Sequence, residues 1–344
     1  MLLNRLPITA IRGAALVLAP CAALLFGVAG GAGSTTPLTV VQADPHHPGT
    51  LLAGTATAQL FRSRDGADTW DPLPFPGALR STLHAMLIDP AKPDVYLVAA
   101  SSETPEHAGV FLTADAGATW QPMRGLEQKQ VWALAFWPAD ASVIAAGAQD
   151  GVFLTRDSGK NWSRLSSPGS ARPQPVVSLA FDPADSNTLY AGTPHTAWKT
   201  SNGGGAWHRI PRGMQEDSDI FSINVDVSQR KRLLVAACSG IYSSLDGGAA
   251  WSSLERAVGG PLRTYVVARS PHRPNVVFAG TSTGLILSPD GGATWQRLSA
   301  EAARSIAFDP ADPQRIFVAT DRGILRSDDG GIHFRGANQG LGKP

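Results

Sequence analysis

SPDGGATW, residues Ser288–Trp295, is one of seven copies of a motif of the form Ser/Thr-x-Asp-x-Gly-x-x-Trp. We call each copy a box and number the boxes in chain order. The boxes are SRDGADTW (Ser63–Trp70), TADAGATW (Thr113–Trp120), TRDSGKNW (Thr155–Trp162), TSNGGGAW (Thr200–Trp207), SLDGGAAW (Ser244–Trp251), SPDGGATW (Ser288–Trp295) and SDDGGIHF (Ser327–Phe334). Their starts are separated by 50, 42, 45, 44, 44 and 39 residues, which indicates an internal repeat.

Each box belongs to a longer unit of short apolar segments separated by turns. In the fourth unit, VVSLAFDP (Val176–Pro183) is followed by TLYAGT (Thr188–Thr193), AWKT (Ala197–Thr200) and the box. Segments of this length between Asp-Pro, Gly-Thr and box turns predict four antiparallel strands per unit. A four-stranded unit of about 40–45 residues is a propeller blade, which buries its faces against its ring neighbours. The repeat therefore predicts an all-β fold, a seven-bladed β-propeller of four-stranded antiparallel blades.

The predicted propeller accounts for residues 34–344, which is 311 residues, whereas seven blades of about 44 residues need about 308. The first unit begins with LTVVQADP (Leu38–Pro45), and the last ends after Phe334. Each has a full set of four strands. We therefore expect no strand exchange between the first and last blades, and a ring closed mainly by side-chain packing.

Residues 1–33 have a different composition from the rest of the chain. Arg5 and Arg12 precede an apolar stretch from about Ala14 to Ala29, and small residues follow it. This order is typical of a secretory signal peptide, and the stretch is short for a bilayer span. An uncleaved membrane anchor is the alternative. The leader predicts export, to the periplasm or the outside of a bacterial cell.

The overall charge balance of the chain argues against nucleic acid as a partner. The chain has 29 Lys and Arg against 28 Asp and Glu, a formal net charge of +1. Because nucleic-acid-binding proteins usually carry a clear basic excess, and export separates this chain from most nucleic acid, we expect no nucleic-acid partner. The sequence has no phosphate-binding glycine loop and no zinc-spaced cluster, which predicts no cofactor and no metal.

The box residues are predicted to maintain the fold. The Asp can accept hydrogen bonds from the backbone of its own turn, the fifth-position Gly permits a positive φ, and the Trp is an apolar anchor between blades. A hard cation needs clustered carboxylates, which a single box does not supply.

The boxes resemble the BNR or Asp-box repeats of sialidases, sortilin-type receptor propellers, xyloglucan-degrading two-propeller glycosidases and the photosystem II stability/assembly factor-like proteins. One box in every blade, with blades of nearly equal length, is most similar to the last group. That resemblance implies a non-enzymatic scaffold that binds a protein partner in assembling or stabilising a membrane-associated complex. It implies no catalytic residues, and we expect a monomer.

Basic residues recur in the connections between blades, which share one face with the loops between second and third strands. Such a face usually carries function in a propeller. An arginine binds carboxylates in a bidentate fashion, so a basic face would suit a partner with an acidic surface. Independent, solvated surface arginines are the alternative. The candidate partner-binding residues are Arg80, Arg124, Lys129, Arg172, Arg212, Arg263, Arg304 and, at the start of an inner strand, Trp132, for which packing is the alternative.

The alternative function is that of a sialidase-like glycoside hydrolase or a carbohydrate-binding propeller. Tyr265 is the one tyrosine at the start of an inner strand, so it would be the nucleophile of a sialidase-like enzyme, with arginines clamping a sugar carboxylate. Glu255 lies in the preceding loop and is the nearest carboxylate in sequence. The chain has no Arg-Ile-Pro-like segment ahead of its first boxes, and it offers one propeller where the xyloglucan enzymes use two. The sequence therefore favours a binding function and leaves hydrolysis open.

Overall fold

The computed structural model describes residues 37–77, 80–165, 171–216, 218–254, 259–260 and 262–342. The predicted leader, residues 1–33, lies outside the described residues. Within the described residues no helix has the length and the apolar character of a membrane span.

The described strands form seven antiparallel sheets of four consecutive strands each, which confirms the predicted seven-bladed propeller. The first strands of the blades are β1 (Leu38–Ala43), β5 (Ser81–Ile88), β9 (Val131–Trp137), β13 (Ser178–Asp182), β17 (Ile220–Val225), β21 (Thr264–Arg269) and β25 (Ala303–Phe308). The second strands are β2 (Leu51–Thr55), β6 (Tyr96–Ser102), β10 (Asp140–Ala148), β14 (Asp185–Thr193), β18 (Leu233–Ala237), β22 (Val277–Thr281) and β26 (Ile316–Thr320).

The outer half of each blade is shorter. The third strands are β3 (Leu60–Ser63), β7 (Gly109–Thr113), β11 (Gly151–Thr155), β15 (Thr196–Thr200), β19 (Gly240–Ser244), β23 (Gly284–Ser288) and β27 (Gly323–Ser327). The fourth strands are β4 (Asp71–Leu73), β8 (Gln121–Pro122), β12 (Ser163–Arg164), β16 (His208–Arg209), β20 (Ser252–Ser253), β24 (Gln296–Ser299) and β28 (Arg335–Gly336). One short 3-10 helix, Pro105–His107, lies between β6 and β7.

The second and third strands are apolar on both faces because blades cover them on both sides. Every residue of Leu51–Thr55 and of Gly284–Ser288 is buried. Strands buried on both faces lose the alternation of apolar and polar residues. The fourth strands consist mostly of exposed residues, and their shortness limits the unpaired edge that each blade presents to solvent.

Two side chains in each box close its turn: the third-position Asp or Asn, as the sequence predicts, and the first-position Ser or Thr. In all seven boxes the first-position hydroxyl accepts a hydrogen bond from the fifth-position N–H, as in Gly117 N to Thr113 Oγ1 at 2.9 Å. The third-position Asp, or Asn202 in the fourth box, accepts one from the seventh-position N–H in every box. Hydroxyl donors, first of all Thr113, lower the pKa of Asp115 to about 2. The box carboxylates are therefore ionised, and they accept hydrogen bonds from their own turns.

The fourth-position peptide of each box is hydrogen-bonded to the rest of the propeller. Its N–H donates at 2.7–3.0 Å to a carbonyl in the turn between the first two strands of its own blade or, in the third and fourth blades, near the start of the second strand. Among the described residues, its carbonyl oxygen accepts a hydrogen bond from a cation of the preceding blade in five cases. The pairs are Arg62 to Ala116, Lys199 to Gly247, Arg232 to Gly291, Arg273 to Gly330 and Arg326 to Gly66. Each box is therefore a contact between blades as well as a turn.

The ring closes without strand exchange, as predicted, and polar contacts accompany the side-chain packing at the seam between the last and first blades. Trp70 and Phe61 of the first blade share a buried cluster with Phe317 and Ile324 of the last. Trp70 also donates its backbone N–H to Gln339 and its indole N–H to Ala337, at 2.8 and 2.9 Å. The guanidinium groups of Arg326 and Arg335 both reach Asp68, at 3.2 and 2.9 Å. The expectation of closure mainly by packing missed these bonds because their partners are about 260 residues apart.

Candidate functional site

One end of the propeller carries the connections that enter the inner strands and the loops between second and third strands. We call this end the mouth face, and the end that carries the boxes the box face. All the candidate partner-binding residues predicted from sequence lie in connections or strand starts at the mouth face.

The inner strands start with a bulge that places one extra residue at the mouth. In six blades the pairing between the first two strands shifts by one residue just after the inner strand begins. A bulge of this kind re-aims a side chain, and bulges are common at barrel rims and beside binding sites. Val177 takes the same position in the fourth blade and donates its N–H to the Gly192 carbonyl. We call these residues the mouth ring: Thr39, His84, Trp132, Val177, Phe221, Tyr265 and Arg304.

Members of the mouth ring contact each other from blade to blade. The His84 and Trp132 rings meet edge to face with centroids 6.5 Å apart, across the second and third blades. Phe221 and Tyr265 meet at 5.9 Å across the fifth and sixth blades. The Arg304 guanidinium lies 3.9 Å from the Tyr265 centroid, a cation–π contact across the sixth and seventh blades. All seven side chains are partly buried.

His84 is held neutral at the mouth. Its Nε2 atom lies 2.6 Å from Ser101 Oγ. Burial lowers the pKa of His84 to about 4, because the charged imidazolium would lose its hydration there. Near neutral pH this member of the ring therefore carries no charge.

Three of the predicted basic residues form ion pairs within their own blades. In each pair a base just before the inner strand, or in the second position of that strand for Arg304, meets an acid in the loop after the second strand. The pairs are Arg80 with Glu103 at 2.8 Å, Lys129 with Asp150 at 3.1 Å, and Arg304 with Asp321 through two hydrogen bonds of 3.0 and 3.2 Å. These acids neutralise part of the expected positive ring. The acids are visible in the sequence, but their loops meet the bases only after the blade has folded.

The other predicted bases have different surroundings. Arg124 and Arg212 are exposed and form no ion pair with any described residue. Arg172 donates from Nε to the Gln174 side-chain oxygen at 3.1 Å. Arg263 lies over two rings of the mouth ring, 4.8 Å from the Phe221 centroid and 5.9 Å from that of Tyr265. Their role in binding a partner stays a prediction.

The geometry around Tyr265 bears on the hydrolase alternative. Two arginines, Arg263 and Arg304, converge on its ring, as a sugar-carboxylate clamp would require. Arg304, however, already binds the carboxylate of Asp321 with both of its contacting nitrogens. Within the described part of the chain no carboxylate is hydrogen-bonded to the Tyr265 hydroxyl, and Glu255 lies outside the described residues.

Sequence reasoning missed the ring as a set. It singled out Trp132, Tyr265 and Arg304 for separate reasons, and Phe221 was not considered. The signal was present in the repeat: each ring residue lies five positions before the residue that opens the turn after its inner strand, as Thr39 does before Asp44 and Arg304 before Asp309. Aligning the units on this turn would have placed the seven residues in one column.

Comparison with known proteins finds one partial family match. Residues 108–218 match a model described as sortilin, neurotensin receptor 3. This segment is less than half of the chain. No curated protein matches the sequence.

Solved structures match over most of the chain. A GH74 xyloglucanase from Xanthomonas campestris superposes with a TM-score of 0.73 at 21% identity, over 90% of this chain and 55% of the enzyme. YCF48 bound to a D1 peptide superposes with a TM-score of 0.64 at 19% identity, over 86% of this chain and 94% of YCF48. YCF48 from Cyanidioschyzon merolae gives 0.62 at 17% identity, over 86% and 97%. These likenesses show the fold. The chain spans about half the length of the xyloglucanase and nearly all of the two YCF48 chains.

Proposed function

We propose that this protein is an exported, non-enzymatic β-propeller that binds a protein partner at its mouth face, in the assembly or stabilisation of a membrane-associated complex. The observation that carries the proposal is the mouth ring, where each blade contributes one re-aimed side chain to a shared surface. A scaffold needs a broad recognition surface. A glycosidase needs a pair of carboxyl groups, or a nucleophile with its acid, around one bond.

Three further observations support this function. The likeness to YCF48, which is bound to a D1 peptide in one of the two solved structures, covers 94% of that chain. The exposed Arg124 and Arg212 give the edge of the mouth face positive charges that would attract a partner with an acidic surface. The leader sequence supports export to the periplasm or beyond, where a membrane-associated complex would be accessible.

A glycan-active propeller, either a sialidase-like hydrolase or a lectin, is the second candidate. The specific observation in its favour is the convergence of Arg263 and Arg304 on Tyr265. Turnover of sialosides and of xyloglucan fragments by the full chain, lost in Tyr265→Phe, would establish the hydrolase. Glycan binding without turnover would establish the lectin.

The proposed function is tested by capture from the detergent-solubilised envelope of the host. The full chain is compared with a mouth-face variant, Arg124→Glu/Arg172→Glu/Arg212→Glu. A box-face variant, Arg64→Glu/Lys160→Glu/Lys231→Glu, changes the same number of charges at the opposite end. We expect the full chain and the box-face variant to retain one membrane protein that the mouth-face variant loses. Equal retention by both variants would contradict a basic binding face, and no retained protein at all would overturn the scaffold function.

A further inference from the structure

The polar members of the mouth ring already have partners inside the propeller. Thr39 Oγ1 donates to the carbonyl oxygens of Leu83 and Gly54, at 2.5 and 3.1 Å. His84 is hydrogen-bonded to Ser101 and is neutral. Arg304 is bound to the Asp321 carboxylate. A ligand would break these bonds to reach the same groups, at a free-energy cost that it would have to recover.

The remaining members are large and apolar. Trp132, Val177, Phe221 and Tyr265 occupy four consecutive blades, from the third to the sixth, and all four side chains are partly buried. Partly desolvated aromatic side chains are the usual centres of binding energy in protein interfaces. This arc therefore offers apolar contact area.

Several charges beside the ring are paired. The single cation in the ring faces Asp321, and the paired bases Arg80 and Lys129 face Glu103 and Asp150. The Arg263 guanidinium lies over the Phe221 and Tyr265 rings. Because Arg304 is already neutralised, the ring itself favours an uncharged ligand group.

We propose that the mouth ring is the anchor site for the partner, and that it receives one large apolar side chain, of the leucine or phenylalanine class, from an extended protein segment. The Tyr265 hydroxyl has no hydrogen bond to a described residue, so it remains available to the backbone of that segment. The inference rests on the proposed function, because it names the chemistry by which the partner is held at the mouth face. The exposed arginines at the edge attract the partner, whereas the aromatic arc holds it.

The probe is a library of short random peptides displayed on phage and panned against the full chain. We expect enriched sequences to share one large apolar residue at a fixed position. A synthetic peptide of the enriched sequence should bind with a negative heat-capacity change and little dependence on salt. The variant Trp132→Ala/Phe221→Ala should weaken its binding by about tenfold or more.

The matched control removes the same two kinds of side chain at the other ends of inner strands. Trp137 and Phe308 end β9 and β25 toward the box face and are also partly buried. Trp137→Ala/Phe308→Ala should leave peptide binding within about threefold of the wild type. Because alanine variants can lose stability, a peptide with benzoylphenylalanine at its apolar position is also cross-linked to the unmodified chain. We expect cross-links to Trp132, Phe221 or Tyr265.

Enrichment of acidic peptides without a fixed apolar position would overturn the proposal, as would cross-links confined to the outer loops. Failure to enrich any sequence would also overturn an anchor for an extended segment. The proposed function fails separately. The mouth-face charge variant could lose the envelope partner while Trp132→Ala/Phe221→Ala keeps it. That result would support the scaffold function and contradict the apolar anchor.

Discussion

The indole N–H of Trp70 donates a hydrogen bond of 2.9 Å to the carbonyl oxygen of Ala337, although the two residues are 267 positions apart. Trp207 and Trp251 make the same bond to Leu165 and Ile210, the residues that follow the fourth strand of the preceding blade. The same tryptophan hydrogen bond thus joins the last blade to the first and joins blades that are adjacent in sequence. Closing the ring buries apolar surface of the first and last blades against each other.

A side chain at position 340, where the protein has Gly340, is predicted to strain this seam. Its φ is +90°, and a Cβ would collide with the Trp70 carbonyl oxygen. We expect Gly340→Ala to cost about 1–3 kcal/mol in the free energy of unfolding, measured by urea denaturation. Gly259→Ala is the control, since Gly259 has a similar φ of +84° and no neighbouring atom within 4 Å. Equal costs for the two variants would show that the contact with Trp70 contributes nothing.

The Arg326 side chain is predicted to contribute more to stability than any other single side chain that bonds the last blade to the first. Its side chain is 8% exposed, it donates to the Gly66 carbonyl, and it lies 2.6 Å from Asp328 and 3.2 Å from Asp68. Arg326→Met leaves the buried Gly66 carbonyl without its donor, whereas Asp68 and Asp328 keep their contacts with Arg335. We therefore expect a loss of about 1–3 kcal/mol in unfolding experiments. Arg297→Met removes an exposed arginine bonded to Thr283 of its own blade and should change stability by less than about 0.5 kcal/mol. A similar small effect for Arg326→Met would contradict its role in closure.

His84 predicts a pH dependence of stability on the acidic side. The folded protein holds its pKa near 4, against 6.5 for an ordinary histidine. Between these values the unfolded chain binds a proton that the folded chain does not, so stability falls as the pH is lowered from 6.5 to about 4. The contribution of neutral His84 to stability is fully present above pH 6.5.

The measurement for His84 is the melting temperature as a function of pH in this window. His84→Gln removes the titration and should flatten the decline. His208→Gln, at an exposed position, should leave the decline as it is in the wild type. Parallel curves for the wild type and His84→Gln would show that His84 is protonated in the folded protein as readily as in the unfolded chain.

Asp321 is predicted to set the charge of the mouth ring. It holds Arg304 through two hydrogen bonds, so Asp321→Asn leaves a positive charge beside Tyr265. We expect this variant to bind a short oligoglutamate peptide about two- to fivefold more tightly than the wild type at low salt, measured by calorimetry. Glu103→Gln releases Arg80 outside the ring and is the matched control. An unchanged affinity in Asp321→Asn would mean that Arg304 does not face the ligand.

Much of the fold could be predicted because the repeat is a local signal. The Thr113–Trp120 box closes its turn with bonds that span four residues, so its pattern is legible in the sequence. The candidate site was predictable only in part. Trp132 and Arg304 were identified at strand starts, whereas the bulge that aligns them depends on pairing with the second strand. The pairing of Arg304 with Asp321 depends on how the blade brings two loops together.

The sequence alone determined the number of blades, their strand order and the place of each box, since hydrogen bonds within a unit join residues close in the chain and repeat with the same period. The tertiary structure decided which side chains of different units come into contact. It made His84 a neighbour of Trp132 and placed Arg326 on the first box. It also neutralised part of the basic mouth face. Those contacts depend on bulges, loop geometry and ring closure, which fix the distance between residues that the sequence keeps apart.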